Sequence, residues 1–149
     1  MKKFSNILVP VDFSEHSLNA VRLAVEIARL FGSSITLIHI GVVPHVYSTE
    51  LGLGGGAGPL FSEMSQAVSA EQYHRLEKVA REEIPDSLKV ETLVREGFPP
   101  EEILGQVETG KHDLVIMGTH GRTGIGRVLL GSVTERVVRE IKVPIMVTR

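Results

Sequence analysis

The chain is 149 residues long, 42% apolar and 23% charged, the proportions of a single globular domain. Zero cysteines exclude a disulfide scaffold, a thiol nucleophile, a zinc knuckle and an iron–sulfur cluster. Sixteen Lys and Arg against eighteen Asp and Glu give a net charge of -2 with no long block of either sign, and five Phe and two Tyr offer little for stacking on bases, so no nucleic-acid partner is expected.

Met1, Lys2 and Lys3 precede the first apolar run, Ile7 to Val11, which Pro10 and Asp12 cut too short for a signal-peptide core or a membrane span. A cytoplasmic protein with no membrane contact is therefore expected. The run does not alternate, which predicts a strand buried on both faces. From Ser14 to Phe31, Leu18, Val21, Val25 and Ala28 recur at helical spacing, with Ser14 as candidate N-cap and Gly32 where a left-handed C-cap is wanted. A second buried strand is predicted at Ile35 to Ile40. Next comes Gly41 to Ser65, a segment with six glycines and two prolines; it is expected to be a mobile loop.

Gln66 to Ile84 reads as a helix stopped by Pro85, and Val90 to Val94, which alternates partly, as an edge strand. Pro100 opens a short helix with Glu101 and Glu102 in its first turn and Gly110 beyond its end. Leu114 to Met117 is a third continuous apolar run. Ser132 to Ile141 reads as the last helix, Ser132 and Glu135 being spaced as a capping box, and Val143 to Val147 as the last strand. Strand and helix alternating in this way predict a three-layer α/β domain with a parallel sheet covered on both faces. Ligands of such sheets bind beyond the carboxyl ends of the strands, where strand order reverses. Pro10, Val11 and Asp12 follow one strand end and Gly118 to Ser132 follow another.

The second of these segments carries the chemistry. Glycines at a strand end let backbone amides approach an anion, and a glycine before a hydroxyl residue at a helix start presents unpaired amides and the positive end of the dipole. Arg122 and Arg127 could add charge and Ser132 a hydroxyl. The plainer reading, that the glycines make turns and Ser132 caps its helix, stands beside it. Gly110, Lys111 and His112 lack the spacing and hydroxyl of a Walker A loop, and Gly52 to Ala57 fits a dinucleotide pattern but opens no helix. The six histidines lack metal-ligand spacing, so no protein metal site is assigned.

Gly118, Gly121, Gly131 and Ser132 match G-x2-G-x9-G-[ST], and on this pattern the chain resembles the universal stress protein family. Ile7 to Asp12 resembles that family's opening strand and aspartate, Asp113 to Gly121 its fourth strand and loop, and Gly131 to Glu135 with Val143 to Ile145 its closing helix and strand. The resemblance runs through nearly the whole chain apart from 41–65. It implies a Rossmann-like fold of the adenine nucleotide alpha hydrolase type, with five parallel strands in order 3-2-1-4-5, and a homodimer through the last strand, Val143 to Thr148. It also implies ATP at the strand ends, any magnesium or manganese being carried by the phosphates. Carried over residue by residue, Asp12 faces the adenosine, with Val11 and Ile40 near the adenine. Met117, Gly118 and Gly121 line the ribose and phosphates, Gly131, Ser132, Val133 and Thr134 hold the phosphates, and Pro10, Thr119, His120 and Arg122 are further nucleotide-binding candidates.

Each residue keeps a second role open. Asp12 can cap the first helical turn, Ile40 and Met117 can be core wall, Val133 and Thr134 can act through their amides alone, and His120 has no neighbour in sequence that makes it a base. The function expected is that of a nucleotide-dependent regulatory protein of the stress response with protein partners still to be identified, not an enzyme, any ATP hydrolysis being slow. Two alternatives are an ATP-consuming adenylyl transferase or pyrophosphatase-like enzyme and a nucleotide-free dimeric interaction module. The first lacks its glycine-rich loop after strand one, where Val9 to Ser14 stand instead. Against the second are the intact glycines.

Overall fold

The computed structural model describes residues 4–41, 58–120 and 130–149, of which 58–61 are described by their backbone alone. In chain order the elements are β1 (Asn6–Pro10), α1 (Glu15–Phe31), β2 (Ser34–Gly41), α2 (Gly58–Glu83), β3 (Val90–Glu96), α3 (Pro99–Glu108), β4 (Leu114–Gly118), α4 (Ser132–Glu140) and β5 (Ile145–Thr148). The strands form one parallel sheet in the order β3-β2-β1-β4-β5. The order reverses at β1, which lies between β2 and β4.

The continuous apolar runs are explained by the two faces of this sheet. Ile7, Val9, Ile35, Leu37, Leu114 and Ile116 point to one side, where Ala20, Val21, Ala24 and Ala28 of α1 and Leu76 and Ala80 of α2 cover them. Leu8, Ile38, Val115 and Met117 point to the other, against Ile103 and Val107 of α3 and Val137 of α4. Side chains alternate along each strand, yet both sides are dry, so the inner strands are apolar almost throughout, buried Thr36 and His39 being hydrogen-bonded exceptions. The outer strands β3 and β5, covered on fewer sides, are only half-buried or exposed along their length.

The caps of α1 are those expected. Ser14 accepts a hydrogen bond from the Ser17 amide, and Gly32 adopts φ 68°, its amide donating to the Ala28 carbonyl. Two helix starts, one cap and two strands differ from the sequence reading; of the strands, β3 runs on to Glu96 and β5 begins at Ile145, not at Val143. Helix α2 starts at Gly58, so residues 58–65 of the expected loop are helical, while 42–57 lie outside the described residues. Pro59 is tolerated there because the first helical turn needs no amide donor, and the exposed residues from Ser62 to Glu71 show no apolar period that would announce a helix. Helix α3 begins one residue early, at Pro99, with Phe98 as its N-cap. Helix α4 is capped by Gly131 and has no side-chain cap bond, so the expected Ser132–Glu135 capping box does not form.

At the amino ends of the strands, buried His112 places Nε2 3.1 Å from Thr36 Oγ1, tying the approach to β4 to β2. Burial pushes the imidazole below its ordinary pKa of 6.5, only partly offset by the Gln106 backbone. A folded-state value below the unfolded one means that the unfolded chain takes the proton first. This contribution to stability is therefore complete above the unfolded value and is lost as pH falls through it. Urea denaturation between about pH 7.5 and 5.5 should show a falling midpoint that is flatter in His112→Asn; equal slopes would contradict the assignment.

Candidate functional site

The switch point of the sheet opens into a cavity of about 560 Å³, within the range of small-molecule sites. Its floor is the carboxyl end of β1 with Pro10, Val11 and Asp12, of β2 with His39, Ile40 and Gly41, and of β4 with Met117 and Gly118. Ser17 of α1, Gln72 of α2, Pro99 and Ile103 of α3, His120, and Gly131 to Thr134 at the start of α4 complete the lining.

The chain leaves β1 through a tight turn. Val11 still donates its amide to the Ile38 carbonyl at 2.8 Å. Asp12 then accepts from the amide of Ser14 at 3.0 Å and from its hydroxyl, an Asx-type turn that starts α1. Between them Phe13 stands at φ 66°, a left-handed conformation unusual for a residue with a side chain. Its ring has two partners, the His39 ring with centroids 4.5 Å apart and the Arg75 guanidinium 4.1 Å from the Phe13 centroid. Buried His39 donates from Nδ1 to the Val11 carbonyl at 2.7 Å. Because β1 ends opposite Ile38, the Ile40 peptide, which points to the same side, has no β1 partner. It faces the cavity with one donor and one acceptor side by side.

On the far side the end of β4 is fixed to α4. Thr134 Oγ1 donates to the Gly118 carbonyl at 2.8 Å. The Thr119 amide donates to Thr148 at 2.8 Å, and the Thr119 carbonyl accepts from Gly131 at 2.7 Å. The Glu135 amide closes the first turn on the Gly131 carbonyl. The amides of Ser132, Val133 and Thr134 stand at the helix start, where no intrahelical acceptor exists and a glycine N-cap supplies no side chain. Gly118 approaches α1 so closely that a Cβ built on it would lie 2.8 Å from the His16 carbonyl carbon and oxygen.

Of the residues singled out from the sequence, Pro10, Val11, Asp12, Ile40, Met117, Gly118, His120, Gly131, Ser132, Val133 and Thr134 come together around the cavity. Thr119 does not line it; its backbone is committed to β5 and α4. Gly121 and Arg122, like Arg127, lie outside the described residues. His120 is half-buried, with Nδ1 3.1 Å from Thr119 Oγ1 and its ring 5.5 Å from that of His16. The structure adds Ser17, His39, Gly41, Gln72, Pro99 and Ile103. The rule that functional residues lie at strand ends reaches Gly41 at the end of β2 and Pro99 just after β3, but no local signal points to Gln72.

A second cavity, of about 490 Å³, lies at the opposite ends of the strands, beside Lys89, Lys111 and His112. No group of three or more His, Cys, Asp or Glu able to hold a metal occurs among the described residues, and no helix there is long and apolar enough to cross a membrane.

The family model described as the universal stress protein family matches residues 3–149. Universal stress protein MJ0531 of Methanocaldococcus jannaschii is 35% identical over 147 residues, covering 98% of this chain and 82% of the relative. The solved structure of MJ0577, a universal stress protein of the same organism, superposes with a TM-score of 0.82 at 29% identity, over 99% of this chain and 96% of that one. A universal stress protein from Archaeoglobus fulgidus in complex with dAMP shares the fold, with a TM-score of 0.58 at 18% identity over 99% of this chain and 100% of that one.

Gly118→Ala should destabilise the protein by about 1 to 3 kcal/mol, since the added methyl meets backbone that cannot swing aside. Gly105→Ala is the control. It lies within α3 with nothing near its missing Cβ, and should be neutral or gain up to about 1 kcal/mol. Denaturant midpoints measure both; equal effects would contradict the close packing at β4.

Proposed function

The chain belongs to the universal stress protein family, and we propose that it binds ATP in the cavity above β1, β2 and β4 and acts as a nucleotide-dependent regulatory protein. The observation that carries this reading is the start of α4. A helix N-terminus with a glycine cap and no capping side chain opens on a cavity beside a glycine that admits no Cβ. Unpaired amides and the positive end of the dipole there favour an anion.

In this reading the amides of Ser132, Val133 and Thr134, with the Ser132 hydroxyl, hold phosphate oxygens. Thr134 reaches them through its amide, its hydroxyl being engaged with Gly118. For Gly121 and Arg122, outside the described residues, a phosphate role rests on the sequence pattern alone. The Ile40 peptide, a donor beside an acceptor, complements the N1 and N6 edge of adenine. Asp12 takes the ribose or base, and Val11, Met117 and Ile103 supply apolar wall. The fit extends to size, because the cavity can take a nucleoside triphosphate. ATP would bring its own divalent cation, magnesium or manganese, on the phosphates.

A regulatory role in place of an enzymatic one is supported by the chemistry of the lining. His39 is bonded to Val11 and packed against Phe13, and Asp12 is bonded to Ser14. In this reading any hydrolysis of ATP is slow. The protein works in the cytoplasm and pairs with a second copy through Val143 to Thr148, where β5 leaves one edge of the sheet open.

Calorimetric titration with magnesium ATP tests the proposal. The parent should bind in the micromolar range, and Gly131→Val should lose binding while keeping its unfolding transition, since Gly131 at φ -60° has a backbone that valine can adopt. A parent that gives no binding would overturn the proposal in favour of a nucleotide-free interaction module.

A further inference from the structure

Gln72 stands apart from the rest of the lining. It is the one cavity residue from α2, and it reaches the end of β2. Its carboxamide lies across Gly41, so close that a Cβ on that residue would sit 2.6 Å from Oε1 and 3.0 Å from Nε2. Glycine at the end of β2 is thus what gives the carboxamide its place on the cavity rim. The side chain is only half-buried and has no hydrogen-bond partner among the described residues. A donor and an acceptor held in one plane therefore face the cavity next to the Ile40 peptide.

On these grounds we infer that Gln72 is a base-selecting residue, whose carboxamide reads the N6 and N7 edge of adenine while the adjoining Ile40 peptide takes N1 and N6. The inference rests on the nucleotide reading above. Its chemistry is that of the two-bond pairing between a glutamine side chain and adenine: the carbonyl accepts from the N6 amine and the amide donates to N7. Guanine presents acceptors at both O6 and N7 and leaves the carboxamide oxygen opposed to O6. Gly41 serves as the positioning residue, because any side chain there displaces the carboxamide.

The test is a comparison of ATP with 7-deaza-ATP, which lacks only the N7 acceptor, titrated in the presence of magnesium into the parent, Gln72→Leu and Gly41→Ala. The parent should bind 7-deaza-ATP about threefold to tenfold more weakly than ATP, the worth of one neutral hydrogen bond. Both variants should bind the two nucleotides equally. Circular dichroism confirms that each variant is folded, and Gln72→Leu, at a half-buried position, keeps its helix. Equal binding of the two nucleotides by the parent, or a difference that survives in Gln72→Leu, would overturn the role of Gln72 and leave the nucleotide site standing. Absence of ATP binding by the parent would overturn both.

Discussion

The peptide of Thr119 is the joint on which the site depends. Its amide belongs to the sheet, through Thr148, and its carbonyl belongs to the next helix, through Gly131. With the Thr134 hydroxyl on the Gly118 carbonyl, these bonds bring the first turn of α4 to the end of β4. Helix α4 is only nine residues long, too short to hold its place by propensity alone. It is kept by these bonds and by Val137 in the core beneath. The consequence is electrostatic: amides that would otherwise face water stand at the wall of a cavity of mixed polar and apolar lining.

The opposite wall obeys a different constraint. A parallel strand that ends early leaves its neighbour's peptides without partners, and β1 stops at Pro10 while β2 continues to Gly41. Beyond β1 the chain turns through left-handed Phe13 into α1. A left-handed residue with a side chain costs on the order of 1 to 2 kcal/mol, and such a conformation persists where its surroundings hold it. Here His39 and Arg75 both pack against the ring. The switch point thus has one wall that offers hydrogen bonds in a plane and another that offers an anion seat, as a molecule with a flat polar ring and a phosphate tail requires.

Much of this was legible in the sequence, for identifiable reasons. Burial on both faces turns a strand into an uninterrupted apolar run, so Ile7 to Val11, Ile35 to Ile40 and Leu114 to Met117 announce themselves. Ser14 and Gly32 act through their own backbone neighbours and are readable locally. The strand order came from the family resemblance and not from periodicity, because nothing in a strand's own residues says which strand lies beside it. Where a feature depends on distant partners the reading was weaker. Ser132 and Glu135 have the spacing of a capping box, but the Gly131 amide is held by Thr119, and Gly131 takes the N-cap position in place of Ser132. Gln72 and Ile103 reach the cavity only because α2 and α3 pack against the sheet ends, and the start of α2 was hidden by exposed residues with no apolar period.

The central claim is that the carboxyl ends of the strands, and not some other surface, hold an adenine nucleotide. Amide-resolved NMR of the protein titrated with magnesium ATP tests it most directly. The account predicts the largest shifts at the amides of Ile40, Gly41, Gly118, Ser132, Val133 and Thr134. Shifts gathered instead at Ser34, Lys89, Lys111 and His112 around the opposite cavity, or no shifts at all, would contradict it.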